Sequence, residues 1–206
     1  MKIPLHYQLS NYDCGPTSML NAIGFLFERE TVPPEVIRNI MLYSLDCYNT
    51  EGKPGRRGTS CSAMMFLSSW LNDFGKLGLL PVSSEYLSGE LVFLGQQSRL
   101  SDALHRGGAA VVRLFYDEWH YVLFTGEKDG NIYLFDPYYR TEAFEQPDIQ
   151  IVHDHPFEYN RIVPSYYFNN EKEQLYSFAT PDIREAVLLF NKETKLTADN
   201  TIEYFI

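Results

Sequence analysis

The sequence has 206 residues, the length of one domain or of one domain with an extension. Hydrophobic residues make up 45% of it and charged residues 21%, as in globular proteins that bury a sizeable core. Its net charge of −10 excludes the concentrated basic face that nucleic-acid binding requires, so no nucleic-acid partner is expected.

No apolar run approaches the roughly 18 residues of a membrane-spanning helix. The first residues of the chain lack the apolar stretch of a secretory signal. We therefore expect a cytoplasmic protein without a membrane span. The sequence does not indicate an oligomeric state.

Helical periodicity dominates the first half of the chain. Apolar residues recur at helical spacing behind Cys14, and Pro16 stands in the first turn, where its missing N–H costs nothing. Further helices are expected at about 34–45, 60–75 and 99–106, with Thr59 or Ser60 as the cap of the second of these.

Residues 49–58, NTEGKPGRRG, are the most basic stretch of this acidic chain. Their glycines and charges are typical of a solvated, mobile loop. The same composition also fits a lid or a substrate-contacting loop beside a cleft. The sequence leaves both interpretations open.

Strand-like patterns follow in the second half. Residues 109–115 are apolar apart from Arg113, as in a central strand, and residues 120–126 and 131–137 flank Asp129-Gly130, which suits a hairpin turn. A further strand is expected at 160–168, a helix at 183–190 and a strand at 201–206. Helices followed by paired strands predict an α+β fold, with N-terminal helices packed on an antiparallel β-sheet.

The three cysteines, Cys14, Cys47 and Cys61, suggest no disulfide framework and match no zinc-binding spacing. Cys14 differs from the other two because it stands at the start of a predicted helix. The positive end of the helix dipole favours a thiolate there, and Gly15 is expected to leave room for a substrate backbone. Cys14 is therefore the candidate nucleophile.

His120 and Asp136 lie on the two strands of the predicted hairpin. An odd number of residues in the loop puts both side chains on one face, directly opposite each other or one diagonal step apart. Either arrangement is within reach of an imidazole–carboxylate hydrogen bond. A histidine held in this way has one nitrogen free to act on a thiol, so we predict His120 as the base and Asp136 as the residue that orients it.

Gln8 precedes Cys14 in a short segment that must fold back toward the start of the helix. An oxyanion needs at least two fixed donors, and a side-chain amide together with the N–H of the nucleophile supplies them. Gln8 is therefore the candidate oxyanion donor.

No cofactor is expected. His153 and His155 have the i, i+2 spacing of a strand, but no cysteine or carboxylate pattern accompanies them, so the sequence predicts no metal site. The chain also lacks a Gly-rich phosphate loop, a serine nucleophile elbow and a dinucleotide-binding motif.

The chain resembles the C39 family of papain-like cysteine peptidases in four segments: QLSNYDCGPTS (8–18), LSDALHRGGAAVVRL (100–114), HYVLFTG (120–126) and the Asp-Pro of FDPYY (135–139). The resemblance implies a papain-like, C39-type peptidase domain at 1–168. Residues 169–206 are then a C-terminal extension packed on the same domain, with no assigned role. The best-known members are domains of peptide-exporting ABC transporters that cleave leader peptides after a Gly-Gly pair, and this chain is expected to be a free-standing member.

By this resemblance Cys14 is the nucleophile, His120 the base and Asp136 the orienting residue, with Gln8 as oxyanion donor. It implies a cysteine peptidase that hydrolyses a peptide or protein substrate through a thioester on Cys14. Two alternatives remain open. The same residues serve acyl or peptidyl transfer to an amine, or the chain is a peptide-binding module with a retired active site.

Overall fold

Four α-helices lie in residues 1–196, which are the residues that the computed structural model describes. They are α1 (Cys14–Leu26), α2 (Pro34–Ser44), α3 (Cys61–Lys76) and α4 (Arg99–His105). The predictions of these four helices are confirmed, and Ser60 is the cap of α3, since its hydroxyl accepts a hydrogen bond from the N–H of Ala63 (3.1 Å). Within residues 1–196, none of the helices combines the length and the hydrophobicity that a membrane span requires.

Seven strands in the same residues form one sheet. They are β1 (Val82–Ser88), β2 (Ala109–Tyr116), β3 (Glu118–Lys128), β4 (Asn131–Phe135), β5 (Gln150–Ile151), β6 (Arg161–Pro164) and β7 (Glu185–Asn191). Their order is β1-β7-β2-β3-β4-β6-β5, and every neighbouring pair is antiparallel. The fold is therefore α+β, with helices packed on an antiparallel sheet, as predicted.

The prediction of a helix at 183–190 is wrong. Residues 185–190 of this segment belong to β7, which lies between β1 and β2 and is buried along its whole length. A strand covered on both faces carries a continuous apolar run, here AVLLF at 186–190, and lacks the alternation that distinguishes a strand from a helix. The chain beyond residue 168 thus supplies an interior strand of the sheet. The strand expected at 201–206 lies outside the described residues.

Besides β7, two further strands, β1 and β5, were not predicted. β1 has the polar sequence VSSEYLS, and four of its seven residues are neither buried nor fully exposed, so a clean alternation of apolar and polar positions is missing. β5 has only two residues. Both strands depend on their partners in the sheet for their formation rather than on a local pattern.

The turn between β3 and β4 has two residues, and the expectation of an odd number is wrong. Lys128 pairs with Asn131, and between them Asp129 and Gly130 have φ angles of 52° and 75°. Positive φ at both positions is the geometry of the tight hairpin turn that the Asp-Gly sequence favours.

A β-bulge at Thr125 in β3 offsets the effect of the even number of turn residues on the strand register. Beyond the bulge the register shifts by one residue and Leu123 pairs with Phe135. Continued by one step, this register puts Asp136 diagonally across from His120 on the same face of the sheet. Without the extra residue, the two side chains would lie on opposite faces.

Apolar layers cover both faces of the sheet. The layer formed with α1, α2 and α3 includes Met19, Leu67 and Leu123. The layer on the other face includes residues of α4 and of the chain beyond β4, together with Val122 and Phe168. Val122 and Leu123 point into different layers, as the two-residue period of a strand requires. By the same period, His120 lies on the face of Val122, near the start of β3.

Candidate active site

Cys14 begins α1, and the start of this helix lies beside β3. Ser18, one turn further along α1, donates a hydrogen bond to the backbone oxygen of Tyr121 (3.0 Å), the neighbour of His120 in sequence. The side chain of Cys14 is 8% exposed and borders a cavity of about 360 Å³ that His120 and Gln8 also line. The fold thus brings together residues from the N-terminal segment, the first helix and the central hairpin.

His120 and Asp136 are hydrogen-bonded, with Nε2 of His120 2.7 Å from Oδ1 of Asp136. Both residues are buried, at 9% and 1% exposure. Because Nε2 contacts the carboxylate, Nδ1 is the nitrogen that remains for Cys14. The orientation of the ring is therefore fixed by Asp136, as expected for a carboxylate that positions a base.

The pKa of His120 reflects two opposing effects. Burial lowers the pKa because the charged imidazolium loses solvation. The negative charge and the hydrogen bond of Asp136 outweigh burial, Cys14 adds to them, and the pKa of His120 is raised from 6.5 to about 10. His120 is therefore protonated at neutral pH and places a positive charge beside Cys14.

Hydrogen bonds engage both carboxylate oxygens and both backbone polar groups of Asp136. Its Oδ1 also accepts a hydrogen bond from the N–H of Tyr138 (2.8 Å), and its Oδ2 accepts one from the hydroxyl of Tyr176 (3.0 Å). The side chain of Asn160 accepts from the N–H of Asp136 and donates to its backbone oxygen, both at 2.8 Å. Side chain and main chain of Asp136 are thus fixed independently.

Arg161 is a buried cation near Asp136, only 1% exposed. Burial opposes ionisation of Asp136, but the charges of His120 and Arg161 and the hydrogen bonds outweigh it and hold the pKa of Asp136 below its usual value. Nη1 of Arg161 donates to the backbone oxygen of Asn160 (2.8 Å), and its Nε is buried without a partner in residues 1–196. The positive charges of His120 and Arg161 therefore both favour the ionised form of Asp136.

Three of these residues were not predicted from the sequence: Asn160, Arg161 and Tyr176. Asn160 and Arg161 open the predicted strand at 160–168, and two polar residues directly before an apolar run were the available signal. Tyr176 had no such signal, because it lies in the tail beyond the segments that resemble the C39 family.

Gln8 is fixed at the edge of the cavity. Its N–H donates to the backbone oxygen of Pro137 (2.9 Å), and its Nε2 donates to the backbone oxygen of Ser10 (2.8 Å). One hydrogen of the amide nitrogen remains for a ligand in the cavity. The N–H of Cys14 adds a second donor, because the first N–H of a helix has no acceptor within the helix.

Asp13 determines the path of the chain between Gln8 and Cys14. Its carboxylate accepts hydrogen bonds from the N–H groups of Leu9 (3.0 Å) and Ser10 (2.7 Å). These contacts fold the segment back toward the start of α1, as the position of an oxyanion donor requires.

The space beside Gly15 is filled, contrary to the expectation that it admits a substrate backbone. A Cβ atom at Gly15 would lie 2.2 Å from Oγ1 of Thr59 and 2.8 Å from its Cβ. The glycine therefore permits the close approach of Thr59, which follows the 49–58 loop, to the start of α1.

The 49–58 loop lies next to Cys14. Its first residue, Asn49, accepts two backbone N–H hydrogen bonds from within the loop (3.0 and 2.9 Å). Arg56 and Arg57 line a second cavity, of about 290 Å³, which Cys14 also borders. This position agrees with the interpretation of a substrate-contacting loop, while movement as a lid stays a prediction.

The remaining cysteines and histidines line neither cavity. His155 stacks on Tyr159, with ring centroids 4.5 Å apart, and its Nδ1 lies 2.9 Å from a carboxylate oxygen of Asp154. In the part of the chain that the structure describes, no group of three or more histidine, cysteine or carboxylate side chains is arranged to hold a metal ion.

Comparison with protein-family models finds no family that matches this chain, and comparison with curated proteins finds no matching relative. A function therefore has to be inferred from the chemistry of the site itself.

Proposed function

We propose that this chain is a cysteine peptidase of papain-like fold that hydrolyses peptide bonds. Cys14 is the nucleophile, His120 the base and Asp136 the residue that orients the base. The observation that carries the proposal is the 2.7 Å hydrogen bond between His120 and the buried Asp136, beside a cysteine at a helix start. A cysteine–histidine pair oriented by a third group is the arrangement that activates a thiol for acyl transfer.

The layout of the chain supports the papain-like assignment. The nucleophile begins a helix on one side of the site. On the other side the base comes from β3, and its orienting residue directly follows β4, the antiparallel neighbour of β3. The segments 8–18, 120–126 and 135–139 carry the residues in which the sequence resembles the C39 family.

The first half of the proposed reaction forms a thioester. The thiolate of Cys14 attacks a peptide carbonyl carbon, and the oxyanion accepts hydrogen bonds from the N–H of Cys14 and the amide of Gln8. His120 then transfers a proton to the leaving nitrogen while the C–N bond breaks. The products of this half are a free amine and an acyl group on sulfur.

Water completes the cycle. Neutral His120 removes a proton from a water molecule that attacks the thioester carbonyl, and the C–S bond breaks to release the acid. The thiolate of Cys14 and protonated His120 are restored. Asp136 keeps Nε2 occupied throughout, so that proton transfer takes place at Nδ1 of His120.

Hydrolysis by Cys14 is testable without the natural substrate. A proteome-derived peptide library is incubated with the wild type, with Cys14→Ala and with Cys61→Ala as the matched control, and new termini are identified by mass spectrometry. We expect cleavage by the wild type and the control, and none by Cys14→Ala. Cleavage by Cys14→Ala at the wild-type rate would contradict the assignment.

The same assay distinguishes the two alternatives. With an added amine acceptor, a peptidyl transferase produces amide-linked products at the expense of free acids. A retired active site produces no cleavage, and its Cys14 reacts with iodoacetamide no faster than the exposed Cys61.

A further inference from the structure

Cys14 borders a second cavity that Gln8 and His120 do not line. Its walls come from the 49–58 loop, from the residues before α1 and from β2 and β3. Glu118 and Trp119 line both this cavity and the first one, so the two adjoin with Cys14 between them. A substrate cut at Cys14 therefore has room on both sides of the scissile bond.

The second cavity carries an excess of positive charge. Its charged lining residues are three arginines and one glutamate: Arg56, Arg57, Arg113 and Glu118. This excess stands out in a chain with a net charge of −10. The buried hydroxyl of Thr59, which lines the same cavity, has no hydrogen-bond partner among the described residues.

The three arginines differ in how far their charges are compensated. The guanidinium of Arg113 stacks on Trp119, 4.6 Å from the ring centroid, and its Nη1 lies 3.7 Å from Oε1 of Glu185. Arg56 and Arg57 are exposed, and neither forms an ion pair with any residue in 1–196. The uncompensated charge of the cavity therefore belongs to Arg56 and Arg57.

The position of His120 determines which part of a substrate meets these arginines. The leaving amine receives its proton from His120 and so has to lie in the first cavity, which His120 lines. The acyl part, which stays on Cys14, then extends into the second cavity. This orientation rests on the function proposed above.

We infer that Arg56 and Arg57 bind an anionic group on the acyl side of the scissile bond, namely the carboxylate of an acidic side chain in a peptide substrate. Arginine suits this role because its planar donors match the geometry of a carboxylate. The net negative charge of the chain repels acidic peptides in general, so a local basic cavity selects those that place a carboxylate next to Cys14.

Two alkylating agents of nearly equal size test the inference without a known substrate. Iodoacetate is an anion and iodoacetamide is neutral, and both transfer a two-carbon group to a thiolate with loss of iodide. The rate constants at Cys14 are measured by mass spectrometry in the wild type and in the double variant Arg56→Gln, Arg57→Gln. We expect the iodoacetate-to-iodoacetamide ratio to fall roughly fivefold in the double variant, as for unit charges a few ångströms apart in solvent.

Lys53→Gln is the matched control. It removes a positive charge from the same loop, but Lys53 pairs with Glu51 and does not line the cavity. Its ratio is expected to equal that of the wild type. The iodoacetamide rate serves as an internal check, because it reports an intact Cys14 and His120 in every variant.

Peptide reagents then test the acyl side directly. Acetylated tripeptide chloromethyl ketones occupy that side, and each position in turn carries Asp or Asn. We expect Asp to accelerate alkylation of Cys14 at one position in the wild type and to lose this advantage in the double variant.

The outcomes separate this inference from the function on which it rests. If Cys14 reacts with iodoacetamide no faster than Cys61, the proposed peptidase site fails, and the inference fails with it. If Cys14 is reactive but the ratio is the same in the wild type and the double variant, the peptidase proposal stands and the anion site is wrong.

Discussion

Tyr176 donates a hydrogen bond to Oδ2 of Asp136 (3.0 Å), although 40 positions separate the two residues in the chain. Tyr176 is fully buried and has a φ angle of 62°, which is unusual for a residue other than glycine. Its N–H donates to the backbone oxygen of Phe115 in β2 (2.8 Å), which holds the residue in this conformation. The segment after β6 thus completes the surroundings of Asp136.

Replacement of Tyr176 by Phe removes the hydroxyl and leaves one oxygen of a buried carboxylate without its donor. We expect the free energy of unfolding to fall by about 1–2 kcal/mol. Alkylation of Cys14 by iodoacetamide should slow severalfold near neutral pH, because Asp136 orients His120 less firmly. Tyr167→Phe is the control, since its hydroxyl bonds to Asp148 outside the cavity (2.8 Å). A Tyr176→Phe variant that alkylates like the wild type at every pH would exclude a positioning role.

The raised pKa of His120 makes part of the folding free energy depend on pH. The folded protein keeps this proton up to about pH 10, whereas the unfolded chain releases it near 6.5. The stabilisation is therefore complete below pH 6.5 and is lost as the pH rises toward 10, by at most about 1.4 kcal/mol per pH unit.

Urea denaturation of the wild type and of His120→Gln at about pH 6, 7.5 and 9 measures this effect. We expect the difference in unfolding free energy between the two proteins to become smaller with each step in pH. A difference that stays constant or grows would show that the imidazolium does not stabilise the fold.

Replacement of Gln8 by Ala should separate two kinds of reaction at Cys14. Peptide hydrolysis passes through an oxyanion, so kcat is expected to fall about 100-fold when one donor is lost. Alkylation by iodoacetamide forms no oxyanion and should keep its rate. Gln96→Ala, at an exposed position away from the cavity, should match the wild type in both assays. Unchanged hydrolysis in Gln8→Ala would remove Gln8 from the oxyanion site.

Replacement of Gly15 by Ala forces a methyl group against Thr59. We expect a loss of about 1–3 kcal/mol in unfolding free energy from this overpacking. Thr59→Gly in the same chain should recover part of the loss, and a double-mutant cycle measures the coupling. Gly24→Ala, in the same helix with its nearest atom 3.9 Å away, should be neutral or stabilising. Equal stability of Gly15→Ala and the wild type would contradict the close contact.

Local signals explain why much of the fold was predictable from the sequence. The helices have amphipathic periodicity and recognisable ends, such as Ser60 at the start of α3, and Asp129-Gly130 marks the hairpin. β7 has no local signal of this kind. Its character as a strand depends on the layers that cover both of its faces, which are formed by distant parts of the chain.

The candidate site also combines residues that a local sequence motif predicts with residues whose contacts depend on distant parts of the chain. Cys14 and Gln8 belong to one short motif, but the shared face of His120 and Asp136 depends on the bulge at Thr125. Gly126, inside the strand, is the residue type that often accompanies a bulge, and this signal was available in the sequence. The contact of Tyr176 with Asp136 was not predictable, because it joins segments with no common pattern.

The interior position of β7 has a consequence for synthesis of the protein. Among the strands in residues 1–196, β7 is the last to be made, yet it joins β1 to β2, so these seven strands cannot all pair until Asn191 has left the ribosome. Cys14 is therefore synthesised long before the sheet that carries His120 can be completed. We therefore expect the proposed peptidase activity to appear only after the chain has folded.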